Sequence, residues 1–113
     1  MTTQVSINNI ESSAVASISG PRISNIQVSN SSYVATGANT VSTSGGFVII
    51  NGSGFQPNVN VVIGNALATS VTYVSTTRIN SQIPPLAAGS YFVYVTTTDN
   101  GKVAIRPNGI TTA

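Results

Sequence analysis

The chain has 113 residues and a formal net charge of +2, with four basic residues against two acidic ones and no Cys, His or Trp. That length holds one small domain and leaves nothing for a second core. Without Cys or His, Glu11 and Asp99 supply no ligand set for a zinc, haem or iron–sulfur site, and neither a Ser-His-Asp nor a Cys-His nucleophile can be assembled.

Helix periodicity is missing, and Gly, Asn, Thr, Ser and Val are mediocre or poor helix formers. Short alternating apolar runs separated by turn residues predict an all-β chain. In residues 1–20, Val5 and Ile7 alternate with Gln4, Ser6 and Asn8, and Ile10 follows. This segment reads either as a tail or as an extended N-terminal arm that becomes a strand when a neighbour pairs with it. Gly20-Pro21 punctuates the chain and opens the compact domain, residues 21–113. Ile23, Ile26 and Val28 predict a first strand, and residues 30–46 a Ser/Thr/Gly-rich connection anchored by Tyr33, Val34 and Val41. Phe47 to Asn51 is a β-rich run closed by Gly52-Ser53-Gly54. Val59, Val61 and Ile63 alternate up to a turn at Gly64-Asn65, and Val71 and Val74 mark another short strand.

Ile79, Ser81 and Ile83 alternate before Pro84-Pro85, which deny ladder donors and stop the strand. Tyr91, Val93 and Val95 form the inward side of the next strand, with Phe92, Tyr94 and Thr96 facing away. Asp99-Asn100-Gly101 predicts a hairpin turn, because Asn-Gly tolerates the positive φ of a two-residue loop. The return strand, Lys102 to Arg106, is expected to point Val103 and Ile105 inward, and Pro107 ends it or marks an edge. About seven strands with one apolar face each must bury that face, and two facing sheets do so as a sandwich. The expected core is Ile23, Ile26, Val28, Val48, Ile50, Phe55, Val59, Val61, Ile63, Val71, Ile79, Ile83, Tyr91, Val93, Val95, Val103 and Ile105.

The polar complement is small and neutral: Ser, Thr and Asn make up 42 of the 113 residues. Arg22, Arg78, Lys102 and Arg106 are scattered along the chain and do not form the cluster that phosphate neutralisation requires, so no nucleic-acid partner is expected. No run is long enough to cross a bilayer, and the N-terminus lacks the basic and apolar regions of a secretory signal. Gly52-Ser53-Gly54 is neither a phosphate loop, lacking a following Lys-Ser/Thr, nor a nucleophile elbow, lacking a His to activate Ser53. Asp99 with Asn100 lacks the acidic cluster of a calcium site. Tyr33, Tyr73 and Tyr94 read as core or rim packing, or as platforms for a sugar or protein. Thr96-Thr97-Thr98 hints at ice binding but does not recur at a fixed spacing. The expected partner-binding residues are therefore Val5, Ile7, Ile10, Arg22, Tyr33 and Tyr73, with no catalytic, cofactor or metal residues.

Gly45-Gly46, the strand Phe47 to Asn51, and Gly52-Ser53-Gly54-Phe55 together resemble the IPT/TIG family of immunoglobulin-like domains. Val61-Val62-Ile63-Gly64, the strand from Ile79 to Pro84-Pro85, and Gly89 to Val95 continue the resemblance in order, over roughly residues 21–106. It implies an immunoglobulin-like β-sandwich. Ser81 stands where the family often has Cys, so no disulfide is carried over.

The family hosts many roles, so the fold does not fix a function. A neutral domain with an extended arm resembles a non-catalytic bacteriophage virion accessory protein, made in a host cytoplasm and decorating or cementing a capsid, or adorning a tail. Its expected partners are a major capsid or other virion protein and copies of itself, as a trimer. The arm would pair with an exposed strand edge, and the sandwich would cover the seam. The alternative is a carbohydrate-binding or adhesion module at a host or cell surface.

Overall fold

The computed structural model describes residues 20–97 and 102–113. These contain eight strands and no helix: β1 (Arg22–Ser29), β2 (Gly46–Ser53), β3 (Val59–Ile63), β4 (Ala66–Leu67), β5 (Ser70–Ser75), β6 (Arg78–Ile83), β7 (Gly89–Thr97) and β8 (Val103–Thr112). Two four-stranded sheets result, with strand orders β1-β2-β6-β5 and β4-β3-β7-β8. Every ladder is antiparallel. This is the expected all-β, immunoglobulin-like sandwich. The extended arm, the expected strand at Val5 and Ile7, and the turn at Asp99-Asn100-Gly101 lie outside the described residues.

Period-two alternation builds the core. Val59, Val61 and Ile63 are buried on β3 while Asn60 is exposed, and Ile79, Ser81 and Ile83 are buried on β6. With Val48, Ile50, Phe55, Val93 and Val95 they fill the space between the sheets. Each such apolar side chain contributes about 1.5–3 kcal/mol through burial. Ser81 is fully buried, and its Oγ donates to the Ser70 carbonyl at 2.9 Å, so burying the hydroxyl costs little. Gly64-Asn65 makes a two-residue turn, with Gly64 at φ +60°, between the paired Ile63 and Ala66.

The Gly52-Ser53-Gly54-Phe55 element serves two different backbone needs. Gly54 leaves the sheet at φ +73°, which a side chain would strain. Gly52 is needed for close approach instead: a Cβ there would stand 1.8 Å from the Arg22 carbonyl oxygen and 2.8 Å from Phe55 Cζ. The Gly52 and Phe55 amides donate to the Thr77 and Thr76 carbonyls at 2.9 and 3.0 Å. The element thus ties β1 to the β5–β6 turn and sets the fully buried Phe55 ring as a plug.

The structure corrects the expected core in several places. Val103 and Ile105 point outward, 50% and 55% exposed, and Ala104 is buried in their place. The reason is parity: Ala104 is opposite the buried Val95, and directly opposed residues share a face. Pro107 does not end the strand. Pro107, Asn108 and Gly109 together oppose Phe92, an irregularity with Asn108 at φ +52°, after which Ile110 and Thr112 turn inward. Within 30–46, Val41 is buried and bridges Thr112, whereas the Val34 side chain is exposed and stays out of the core. On β5 the inward residues are Val71 and Tyr73, and Val74 is exposed.

Candidate interaction surface

Of the residues expected to bind a partner, Val5, Ile7 and Ile10 lie outside the described residues. Arg22 is exposed at the start of β1, opposite Ser53. Tyr33 belongs to a turn after β1, at φ +59°. Asn30 Oδ1 closes that turn by accepting the Ser32 and Val34 amides at 2.8 and 3.1 Å. The Tyr33 ring meets Phe47 edge-on, 5.5 Å between centroids, and its carbonyl accepts Arg78 Nη2 at 3.0 Å. Tyr73 is half-buried opposite Ile79 and packs on the core. Arg22, Tyr33 and Tyr73 are not brought together: Arg22 stands at the far end of β1 from the Phe47 pairing, and Tyr73 faces the inside of the sheet whose outer side Tyr33 covers.

The outer face of the first sheet is polar and satisfied. Asn51 Nδ2 donates to Asn25 Oδ1 at 2.8 Å and to Gln27 Oε1 at 3.0 Å, and Arg78 Nε donates to Asn80 Oδ1 at 3.0 Å. Ile49, directly opposite Gln27 and Asn80, is buried on this face. The amides and the guanidinium thus serve as a lid over an aliphatic side chain, and their hydrogen-bonding groups are engaged with one another.

The outer face of the second sheet has the opposite character. Leu67, Val62, Tyr94 and Ile105 are in register across all four strands. Phe92 stacks on Tyr94 with ring centroids 6.2 Å apart, and Val103 lies one row away, beside Thr96 and Asn60. Leu67 and Phe92 are 69% and 45% exposed, so with Val103 and Ile105 they form a continuous apolar band without a charge in these rows. A band of a few hundred Å² of apolar surface is of the size that marks an interaction site. Composition alone did not single it out, but a sequence signal existed. Tyr91-Phe92-Val93-Tyr94-Val95 is apolar on both faces, which a strand wetted on one side does not need.

β8 is the edge of the same sheet. Among the described residues its outer edge is paired only near its end, where the Val41 amide donates to the Thr111 carbonyl at 2.8 Å and the Ala113 amide to the Val41 carbonyl at 3.0 Å. From Val103 to Pro107 no described strand pairs with it, but β1 packs alongside and runs the same way: a Cβ on Gly20 would stand 3.0 Å from Lys102 Cβ, and one on Gly109 3.0 Å from Ile26 Cδ1. A hollow of about 150 Å³ opens between β1 and β8, and an adjoining one of about 290 Å³ lies between β1 and residues 35–39, the two sharing Ile26, Val28, Ala38 and Asn39. Their linings carry no ionisable side chain, and both are below the range of small-molecule sites, about 300–1,000 Å³. Among the described residues no three His, Cys, Asp or Glu side chains gather. Attachment by apolar contact and strand pairing is the chemistry this surface offers.

The sequence pattern of the IPT/TIG domain matches residues 21–112. The chain belongs to the IPT/TIG domain family. That family comprises non-catalytic immunoglobulin-like domains that commonly act in adhesion or interaction. No curated protein matches the chain. The Gly-Gly and Gly-x-Gly-Phe elements of this IPT/TIG domain are structural: Gly45 and Gly46 crowd the Ile83 carbonyl and the Val41 side chain, and Gly52 crowds β1.

Proposed function

We propose that the protein is a non-catalytic docking module that attaches to a larger protein assembly through the β8 edge and the apolar band beside it. The observation that carries this reading is the uncharged Leu67–Val62–Tyr94–Ile105 row, beside an edge that from Val103 to Pro107 pairs with no strand among the described residues. Main-chain pairing supplies affinity without charge, which suits a chain with so few ionised groups. The setting we propose is a virion, where the module decorates or cements a phage capsid or adorns a tail, and many weak contacts act together. The near-neutral Ser/Thr/Asn surface supports this setting, because dense arrays of copies meet little mutual repulsion.

The test is cosedimentation of the purified protein with virion particles that lack it. Saturating attachment, weakened at least tenfold by Leu67→Asp with Ile105→Asp, is the expected result. Absence of attachment, or attachment indifferent to both substitutions, overturns it. Binding to a glycan that is lost on Tyr33→Ala or Tyr73→Ala would instead establish a carbohydrate-binding role.

A further inference from the structure

We propose that Asn108-Gly109 is a self-modification site: Asn108 loses its side-chain amide by spontaneous deamidation, which leaves a carboxylate at the seam between β1 and β8 and displaces the end of β8. The proposal goes beyond the docking reading and does not rest on it.

The reaction needs the backbone nitrogen that follows an asparagine to reach the side-chain Cγ, and a glycine there has no Cβ to obstruct it. The sequence holds three such pairs, Asn51-Gly52, Asn100-Gly101 and Asn108-Gly109, of which the second lies outside the described residues. The fold treats the other two differently. Asn51 sits in the β2 ladder between Asn25 and Arg78, and its Nδ2 donates to Asn25 Oδ1 and Gln27 Oε1. The nitrogen that would attack it, on Gly52, commits its proton to the Thr77 carbonyl at 2.9 Å. Asn108 is exposed, at φ +52°, in the irregularity where three residues oppose Phe92. Its side-chain amide bonds to no described residue, and with Gly109 it lines the hollow between β1 and β8. A residue that is extra to its ladder is not clamped by a partner, so it rotates into reach without opening the sheet. Being exposed, it also meets the water that the reaction consumes.

The Gly109 nitrogen gives up its proton and bonds to Asn108 Cγ. The bond from Cγ to Nδ2 breaks, and that nitrogen leaves with the proton as ammonia. Water then opens the succinimide ring at one of its two carbonyls. Breaking the new bond at Cγ yields aspartate with the original backbone. Breaking the bond to the main-chain carbon yields isoaspartate, whose backbone runs through Cβ and Cγ. One water is consumed and one ammonia released, with no oxidant or reductant. The described residues contain no Asp or Glu, so the product is their first acidic side chain, and the formal charge of the chain falls by one from +2. Isoaspartate also lengthens the backbone by one bond, about 1.5 Å. Gly109 has no room to absorb it: a Cβ there would stand 2.9 Å from Val93 Cγ2 and 3.0 Å from both Arg106 Cγ and Ile26 Cδ1. The displacement therefore passes along β8 to the Val41 clasp at Thr111 and Ala113.

The test is incubation of the full-length protein at neutral pH and physiological temperature, followed by tryptic peptide mapping with mass spectrometry. Asn108 is the only asparagine after Lys102, so its peptide is read apart from that of Asn100. Asn108 is expected to convert at least about tenfold faster than Asn51 in the folded protein, and at a similar rate to Asn51 in urea, where the ladder no longer protects either. Labelling by an isoaspartyl methyltransferase is expected to mark the same peptide. The isoaspartate form, separated by ion exchange, is expected to exchange its Val41 and Ala113 amides at least about tenfold faster than the parent protein. Equal rates at Asn51 and Asn108 in the folded protein, or conversion of Asn108 only in urea, would overturn the site. Unchanged exchange at Val41 and Ala113 would overturn the displacement of β8. No assembly enters this experiment, so its failure leaves the docking reading standing, and failure to attach to particles leaves the modification site standing.

Discussion

Replacing Gly52 by alanine adds one methyl group at a place where nothing can yield cheaply. The new Cβ would meet the Arg22 carbonyl oxygen at 1.8 Å, on the backbone of β1, and Phe55 Cζ at 2.8 Å, on a fully buried ring. Relief requires β1 to retreat by more than 1 Å, because Cβ contacts below 3.0 Å are essentially never seen. Overpacking of this kind costs about 1–3 kcal/mol. Weakening the pairing of Arg22 and Ile23 with Ser53 and Gly52 adds roughly 1 kcal/mol per hydrogen bond lost. The lower entropy of the unfolded alanine chain offsets about 0.4–1 kcal/mol. The net loss is about 3 kcal/mol, which lowers Tm by roughly 12–24 °C in a domain of this size. Thermal unfolding followed by circular dichroism measures it. Gly37→Ala is the control: φ there is +82°, but no atom lies within 4 Å of the added Cβ, so only backbone strain of about 1–2 kcal/mol applies. If Gly52→Ala lowers Tm no more than Gly37→Ala, the close-approach argument is wrong.

Phe55→Ala empties the plug between the sheets and is expected to cost about 3–5 kcal/mol in urea unfolding, with the m-value unchanged. The parity of β8 is tested by a matched pair. Ala104→Asp buries a charge without a partner and is expected to prevent stable folding, whereas Ile105→Asp, at an exposed site, is expected to stay within about 0.5 kcal/mol of the parent protein. The reverse order in thermal unfolding would restore Val103 and Ile105 to the core.

Most of the sandwich is legible in short alternating runs. Val59, Val61 and Ile63, or Ile79 and Ile83, fix their own faces, because only one parity of each strand is apolar. Val103-Ala104-Ile105 misleads by the same rule. The larger side chains sit on the exposed parity, and the true parity is set by pairing with Val95, eight or more residues away in sequence. Ile49 is a second example. It lies in a Val-Ile-Ile run that alternation cannot divide, and its burial depends on Gln27 of β1 and on Asn80 and Arg78 of β6, two distant stretches of chain. The apolar band was hidden for a related reason. Leu67, Val62, Tyr94 and Ile105 are unremarkable singly, and only the register across four strands makes them one surface. Tyr33 and Tyr73 were singled out by residue type, yet rings of one type went to opposite sides of a sheet.

The common direction of β1 and β8 also bears on how the molecule answers to force. Gly20 lies at one pole of the sandwich, while Thr111 and Ala113 are clasped by Val41 at the other. Tension between these points runs lengthwise along the strands, so the cross-strand bonds that hold β8 to β7 are sheared together instead of peeled apart singly. Stretched between these two points, the domain is therefore expected to behave as a brittle rivet rather than a zip.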